Sequence, residues 1–187
     1  MRIVDVNYKW NGVLVGRQET KYIILHHRAG LGDAESIHYD HLNRGWSGIG
    51  YHFYVRRDGT VYRGRPITKT GAHTEGYNIV SVGVCFEGNY EADIMPEAQV
   101  KAGQEIVSWL TELYPNAKVC YHKDFAATSC PGKNFPDKIK KGAEKMTVDE
   151  AVEIIQYKIG LEDQTIDFLL CYKYGEELVI KIAEAIK

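Results

Sequence analysis

The stretch Cys120-Tyr121-His122-Lys123-Asp124-Phe125-Ala126-Ala127-Thr128-Ser129-Cys130-Pro131-Gly132 places a histidine and a cysteine eight residues apart. The first ends a short apolar run and the second sits in the loop that follows. A strand-end side chain and a loop side chain at that separation can fold back onto one ion, and imidazole with thiolate suits zinc. Two ligands do not make a site. Upstream, His26-His27 follows the apolar run Tyr22-Ile23-Ile24-Leu25. Imidazoles therefore stand at the carboxyl end of a buried strand, where α/β sheets place ligands. His26, His122 and Cys130 form a candidate three-ligand set that leaves a fourth place for water, the pattern of a catalytic zinc. A rival set also exists. Cys120 and His122 are two apart and share a sheet face, so with Cys130 and one more histidine they could close a structural site. Spacing alone leaves both open.

The elements that must hold these residues read as alternating strands and helices. Asp33 is a suitable N-cap for a helix through Asn43, with Gly45 just past its end. Ile37, His41 and Leu42 share one face of it. His41 is expected to be half-buried and bonded to backbone, and His38 to face solvent. Tyr51 to Arg57 alternates and is rich in aromatics, as in a strand, and Asp58-Gly59 turns it back through Thr60 to Arg63. Gly71 to Asn78 is a glycine-punctuated loop, and Ser81 to Phe86 another apolar strand. Pro96 opens a helix carrying Val100, Ile106, Val107, Leu110, Leu113 and Tyr114, which Pro115 stops. Val119 to His122 is a short strand and Phe135 to Lys141 a short helix. The first twenty residues read as an edge segment with a turn at Asn11-Gly12.

Beyond them, Lys138, Lys140, Lys141 and Lys145 make a basic, solvated connector around Gly142. Three short helices follow. Thr147 and Glu150 form a capping box for a stripe of Val148, Ala151, Val152, Ile155 and Ile159, closed by Gly160. Ile166, Leu169 and Leu170 mark a second helix ending at Gly175. Leu178, Val179, Ile182, Ala183 and Ile186 mark a third. Residues 147–187 hold nine acidic and four basic side chains, net −5, whereas the remainder holds 16 acidic and 19 basic, net +3. That change of sign supports a boundary, with domains at 1–142 and 147–187.

At 187 residues, 44% hydrophobic and a formal charge of −2, the chain reads as an ordinary globular protein. No nucleic-acid partner and no membrane insertion are expected. The start, Met1-Arg2-Ile3-Val4-Asp5-Val6-Asn7, lacks the apolar core of a signal peptide, so synthesis in the cytoplasm and another route of export are expected. Four cysteines in a chain of this length do not read as a disulfide framework.

A series of short motifs narrows the reading. His26-His27 is followed by Gly45-Trp46, Ile49-Gly50-Tyr51-His52-Phe53 and Arg57-Asp58-Gly59-Thr60-Val61. Then come Gly71-Ala72-His73, Gly76-Tyr77-Asn78 with Ser81-Val82-Gly83-Val84, His122, and Thr128-Ser129-Cys130-Pro131-Gly132. In this order, from about Lys21 to Lys141, they resemble the zinc-dependent N-acetylmuramoyl-L-alanine amidases, a family that includes phage lysins, bacterial autolysins and the animal peptidoglycan recognition proteins. The resemblance implies zinc (Zn2+) held by His26, His122 and Cys130, with Tyr51 as the catalytic tyrosine. Some relatives carry a lysine two residues before the ligand cysteine. Here Thr128 stands there, and it can offer one hydrogen bond but no charge. His73 and Asn78 match loop positions facing the bound glycan–peptide, His27 is a candidate for orienting a ligand or substrate, and Cys120 becomes a core residue. His52 points to the other face from Tyr51 and is expected to be buried and hydrogen-bonded.

The expected fold is α/β: a central mixed β-sheet flanked by helices, with zinc at the floor of a groove along strand ends and a small C-terminal three-helix unit. The expected activity is hydrolysis of the amide between N-acetylmuramic acid and L-alanine of the stem peptide, by a phage or prophage endolysin or a bacterial autolysin acting on the wall after release. The expected partner is peptidoglycan, with residues 147–187 targeting the wall or pairing two copies. The alternatives are a cytosolic amidase that recycles anhydromuropeptides and a non-catalytic peptidoglycan-binding protein. Relatives of the second kind typically lose the cysteine ligand, which this chain keeps.

Overall fold

A computed structural model describes residues 2–143 and 146–186; Lys145 of the basic connector lies outside the described residues. The chain divides into two compact units, 1–143 and 144–187.

The first unit is built on one six-stranded sheet. In chain order its elements are β1 (Ile3–Val4), β2 (Tyr22–His27), α1 (Ala34–Asn43), β3 (Phe53–Val55), β4 (Val61–Arg63), β5 (Ser81–Phe86), α2 (Glu97–Leu113), β6 (Lys118–Tyr121) and α3 (Asp137–Lys141). The strands lie in the order β1-β4-β3-β5-β2-β6. All neighbours are parallel except the β3–β4 hairpin, so the sheet is mixed as expected. β1 is an edge strand, consistent with the reading of the first twenty residues.

The two-residue period of the strands sorts side chains onto two faces. Ile23 and Leu25 of β2, Phe53 and Val55 of β3, and Val82, Val84 and Phe86 of β5 pack with Val100, Ile106, Val107 and Leu110 of α2 and Ile139 of α3. Each such side chain, fully buried, stabilises the unit by about 1.5–3 kcal/mol. On the other face Tyr54 and Cys85 pack with Ala34 and Ile37 of α1 and with Ile49. His26 is in register with Cys85, and Cys85 with Tyr54. His26 therefore stands on the α1 side of the sheet, at the carboxyl end of a central strand.

Local capping agrees with the sequence. Asp33 accepts the Ser36 N–H at 2.8 Å and starts α1. Pro96 precedes α2, and the amide of Tyr114 closes it on Leu110. Asp58-Gly59 turns the hairpin, with the Thr60 N–H donating to the Asp58 carboxylate. Four details differ. Leu113 is 48% exposed, because its position falls off the buried stripe of α2. His38 is only 2% exposed. Its Nδ1 accepts the Ile49 N–H, and its ring stacks on Tyr8 with the edge toward Trp10, so the N-terminal segment covers the helix face assigned to solvent. The strand at 51–57 is shorter than expected, starting at Phe53. β6 likewise ends at Tyr121, where the Asp124 carboxylate accepts the Tyr121 N–H at 2.8 Å and turns the chain into a 3-10 turn that begins with His122.

The second unit holds α4 (Val148–Ile159), α5 (Asp163–Leu170) and α6 (Gly175–Ile186). The capping box forms: Thr147 Oγ1 accepts the Glu150 N–H, and the Glu150 carboxylate accepts the Thr147 N–H. Gly160 ends α4 in the left-handed region. Gly175 opens α6, where the sequence placed it at the end of the preceding helix. Ala151, Ile155, Ile166, Val179 and Ala183 form the core. Ile159 and Leu178, read as core stripe positions, are 52% and 43% exposed. No helix among the described residues is long and apolar enough to cross a membrane.

Candidate metal centre

His26, His122 and Cys130 come together: one nitrogen from each ring and the thiol sulfur all lie within 4.8 Å of one another. Three local arrangements cause this. β2 delivers His26, which is 1% exposed, at its last buried position. The turn after β6 swings His122 over it, with ring centroids 4.5 Å apart. The loop then closes on itself. The Lys123 N–H donates to the Cys130 carbonyl at 2.9 Å, and the Phe125 and Ala126 N–H groups donate to the His122 carbonyl. That closure is why a spacing of eight residues can serve one ion.

Cys130 Sγ is 3.9 Å from His26 Nδ1. A tetrahedral ion with nitrogen at ~2.0 Å and sulfur at ~2.3 Å holds such a pair about 3.5 Å apart. The ring and thiol need move only a few tenths of an ångström, so two imidazoles and one thiol fit a zinc-type ion in both donor chemistry and distance. Cys120, the ligand of the rival set, is half-buried on β6 and is not in the cluster.

The electrostatics suit the same use. Burial, with His122 and His27 adding to it, holds His26 well below the ordinary imidazole range. Burial lowers His122 as well. Both rings are neutral near pH 7 and offer lone pairs. Burial pushes the Cys130 thiol up to about 11, with Glu91 adding to it and the His27 backbone contact opposing it. A bound ion must therefore displace that proton. Tyr51 stands just before β3 with its ring centroid 5.2 Å from that of His26. Burial first, then the Cys85 and Cys130 thiols, raise its phenol well above its ordinary value, so it stays an O–H donor.

The other site residues read from the sequence are placed differently from one another. Thr128 is exposed, and its Oγ1 accepts the Cys130 N–H at 3.2 Å, so it braces the ligand loop. His27 turns its ring away from the cluster: Nδ1 accepts the Tyr90 N–H at 3.1 Å, and only its carbonyl approaches the thiol, at 3.9 Å. His73, assigned to the substrate-facing loop surface, is 9% exposed. Its Nδ1 lies 3.1 Å from His26 Nε2. Asn78, assigned the same way, turns its Oδ1 inward to accept the His73 and Thr74 N–H groups at 2.8 and 2.9 Å. One arrangement places both: the loop from Gly71 to Asn78 folds back toward His26. His52 is buried as expected, accepting the Gly83 N–H on Nδ1 and donating from Nε2 to the Lys69 carbonyl. His41 accepts the Gly50 N–H at 3.0 Å.

Thr74, Ser81 and Cys85 line His73 and His26, and none of them has a role read from sequence. Thr74 Oγ1 is 3.1 Å from His73 Nδ1, and Ser81 Oγ is 3.4 Å from His73 Nε2. Cys85 lies buried at the register position of His26. Ser81 and Cys85, four apart on β5, carried a signal in the period of the strand, which puts both on the His26 face; Thr74, in the loop, carried none.

Comparison with known proteins gives the family. Residues 16–133 match the N-acetylmuramoyl-L-alanine amidase family. An endolysin of Enterobacteria phage K11 is 37% identical over 71% of this chain and 93% of its own length. Peptidoglycan-recognition protein SC2 of Drosophila melanogaster is 31% identical over 64% of this chain and 72% of its own. Among solved structures, the N-acetylmuramoyl-L-alanine amidase LysC from Clostridium intestinale URNW superposes with a TM-score of 0.72 at 39% identity, covering 75% of this chain and 96% of that one. The matched segment contains all three clustered ligand residues and Tyr51, and this chain belongs to the N-acetylmuramoyl-L-alanine amidase family.

Proposed function

We propose that the chain hydrolyses peptidoglycan at the amide joining the lactyl group of N-acetylmuramic acid to L-alanine of the stem peptide, as an endolysin acting on the wall, with zinc held by His26, His122 and Cys130. The observation that carries this reading is the convergence of two neutral imidazoles and a thiol beside a half-buried tyrosine, in a chain of this family. Bound zinc supplies Lewis acidity, which polarises an amide carbonyl and lowers the pKa of water toward ~7.

The residues supply the rest. His26 is held by burial and by its Nε2 contact, so its Nδ1 stays aimed at the ligand position. Tyr51, kept protonated, donates to the oxygen on which charge develops and is the nearest donor for the departing amine. Thr128 spends its acceptor on the Cys130 amide; its hydroxyl proton is left for the substrate and carries no charge. Residues 147–187 act in this reading as a unit that targets the wall or pairs two copies. Their outward Tyr157, Phe168, Tyr172 and Tyr174, each more than half exposed, support a contact surface.

The test is incubation of purified wall with wild type, Cys130→Ser and Tyr51→Phe proteins, followed by assay of free N-terminal L-alanine. Release by wild type with zinc, and loss in Cys130→Ser, is the expected result. Binding to the wall without release makes the chain a non-catalytic binder and refutes the reading, as does release of reducing sugar in place of alanine.

A further inference from the structure

We infer that His73 is a positioning residue: it accepts a hydrogen bond from His26 Nε2–H and so fixes His26 in the tautomer that offers Nδ1 to the metal. The inference rests on the metal-site reading above.

The chain of hydrogen bonds sets the direction. Ser81 Oγ lies 2.7 Å from the Tyr77 carbonyl, which can only accept, so the serine proton is committed there. What Ser81 presents to His73 Nε2, at 3.4 Å, is therefore a lone pair. The neutral His73 ring carries its hydrogen on Nε2 and has an acceptor at Nδ1. That acceptor meets His26 Nε2 at 3.1 Å, and Thr74 Oγ1 stands 3.4 Å from the same nitrogen as a second, longer acceptor. His26 must then donate from Nε2. Its lone pair is on Nδ1, the nitrogen 3.9 Å from Cys130 Sγ. A donor–acceptor partner behind a ligating imidazole orients the ring and raises its basicity.

The surroundings are shaped for this ring. A Cβ on Gly71 or on Gly83 would each stand 2.5 Å from His73 Cδ2, so two glycines leave the space it occupies. Asn78 clamps its backbone from the other end of the loop. His52 packs edge-on at 5.7 Å with both nitrogens already committed, to Gly83 and Lys69, so it cannot compete for the His26 proton.

The experiment has two arms on the full chain. Zn2+ affinity is measured by competition with a chromogenic chelator for wild type, His73→Phe and His73→Asn. Phenylalanine keeps the bulk and removes the acceptor; the asparagine carbonyl restores an acceptor near the Nδ1 position. His73→Phe is expected to bind about 10–100-fold more weakly, and His73→Asn to recover most of that loss. Wild-type affinity in His73→Phe, or an equal fall in both variants, overturns the inference. Because His73→Phe could fail to fold, imidazole nitrogen NMR of the wild type, with and without zinc, decides independently. His26 and His73 are both expected to carry hydrogen on Nε2, and Nδ1–H on His73 overturns the assignment. A wild type that takes up no zinc refutes the metal-site reading instead, and the tautomers of the zinc-free protein still decide this one.

Discussion

Gly83→Ala perturbs the support of the site without touching a ligand. The added Cβ would lie 2.5 Å from His73 Cδ2, 2.6 Å from Cγ and 2.7 Å from Nε2. Carbon atoms in packed interiors sit roughly 3.5–4.0 Å apart, so the imidazole must retreat by about 1 Å. A retreat of that size takes Nδ1 out of hydrogen-bond range of His26 Nε2, now 3.1 Å away. Forcing a methyl into a packed core costs about 1–3 kcal/mol, and leaving a buried donor unpaired costs about 1–3 kcal/mol more. Alanine is easier to order in a strand than glycine and returns roughly 0.5–1 kcal/mol. The net expectation is a loss of about 1–5 kcal/mol, centred on ~3 kcal/mol, or roughly 1–2 M in a urea midpoint at the centre of that range. Tryptophan fluorescence reads it cleanly, because Trp10, Trp46 and Trp109 all lie in the first unit. Gly16→Ala is the control: a Cβ there meets nothing within 4 Å and its φ is not positive, so a change within about 0.5 kcal/mol is expected. A Gly83→Ala midpoint equal to that of Gly16→Ala would refute the claim that His73 is wedged between its glycines.

Cys130→Ser removes the thiolate; zinc retention after dialysis should fall below detection, and wall hydrolysis should fall by at least about 10³-fold, since the ion contributes several kcal/mol to the barrier. Stability should decline in acid with a defined sign. Burial lowers His52 and His41 to about 4, while unfolded histidine titrates near ~6.5. The unfolded chain then binds more protons as pH falls from about 6.5 to about 4, and His52 contributes a slope of up to about 1.4 kcal/mol per pH unit. Urea midpoints that stay level over that window count against it. Thr147→Ala should weaken protection from hydrogen exchange across 148–159 by about 0.5–2 kcal/mol and leave the first unit unchanged. Truncation after Lys145 should leave zinc binding intact and alter wall binding or oligomeric state.

Much of this architecture was legible because the deciding signals are local. Asp33, Pro96, Asp58-Gly59 and the Thr147–Glu150 box each fix an element boundary through contacts within a few residues. The clustering of His26, His122 and Cys130 was legible through spacing and motif order. Burial created by distant chain was not. His38 looked solvent-facing because nothing in its own helix shows that Tyr8 and Trp10 fold over it. The hydrogen bond between His73 and His26 was not legible either, because the inward fold of 71–78 depends on Gly83 of β5 leaving room for an imidazole. The same blindness hid Thr74 and Ser81, whose roles exist only once β5 lies beside β2.

The central claim is that His26, His122 and Cys130 hold one zinc ion. Diffraction from crystals grown with zinc, recorded at the zinc absorption edge, tests it most directly. One anomalous peak is expected about 2.0–2.1 Å from His26 Nδ1 and from a His122 ring nitrogen, and about 2.3 Å from Cys130 Sγ. A peak ligated by Cys120, or no peak among these three residues at saturating zinc, would contradict it.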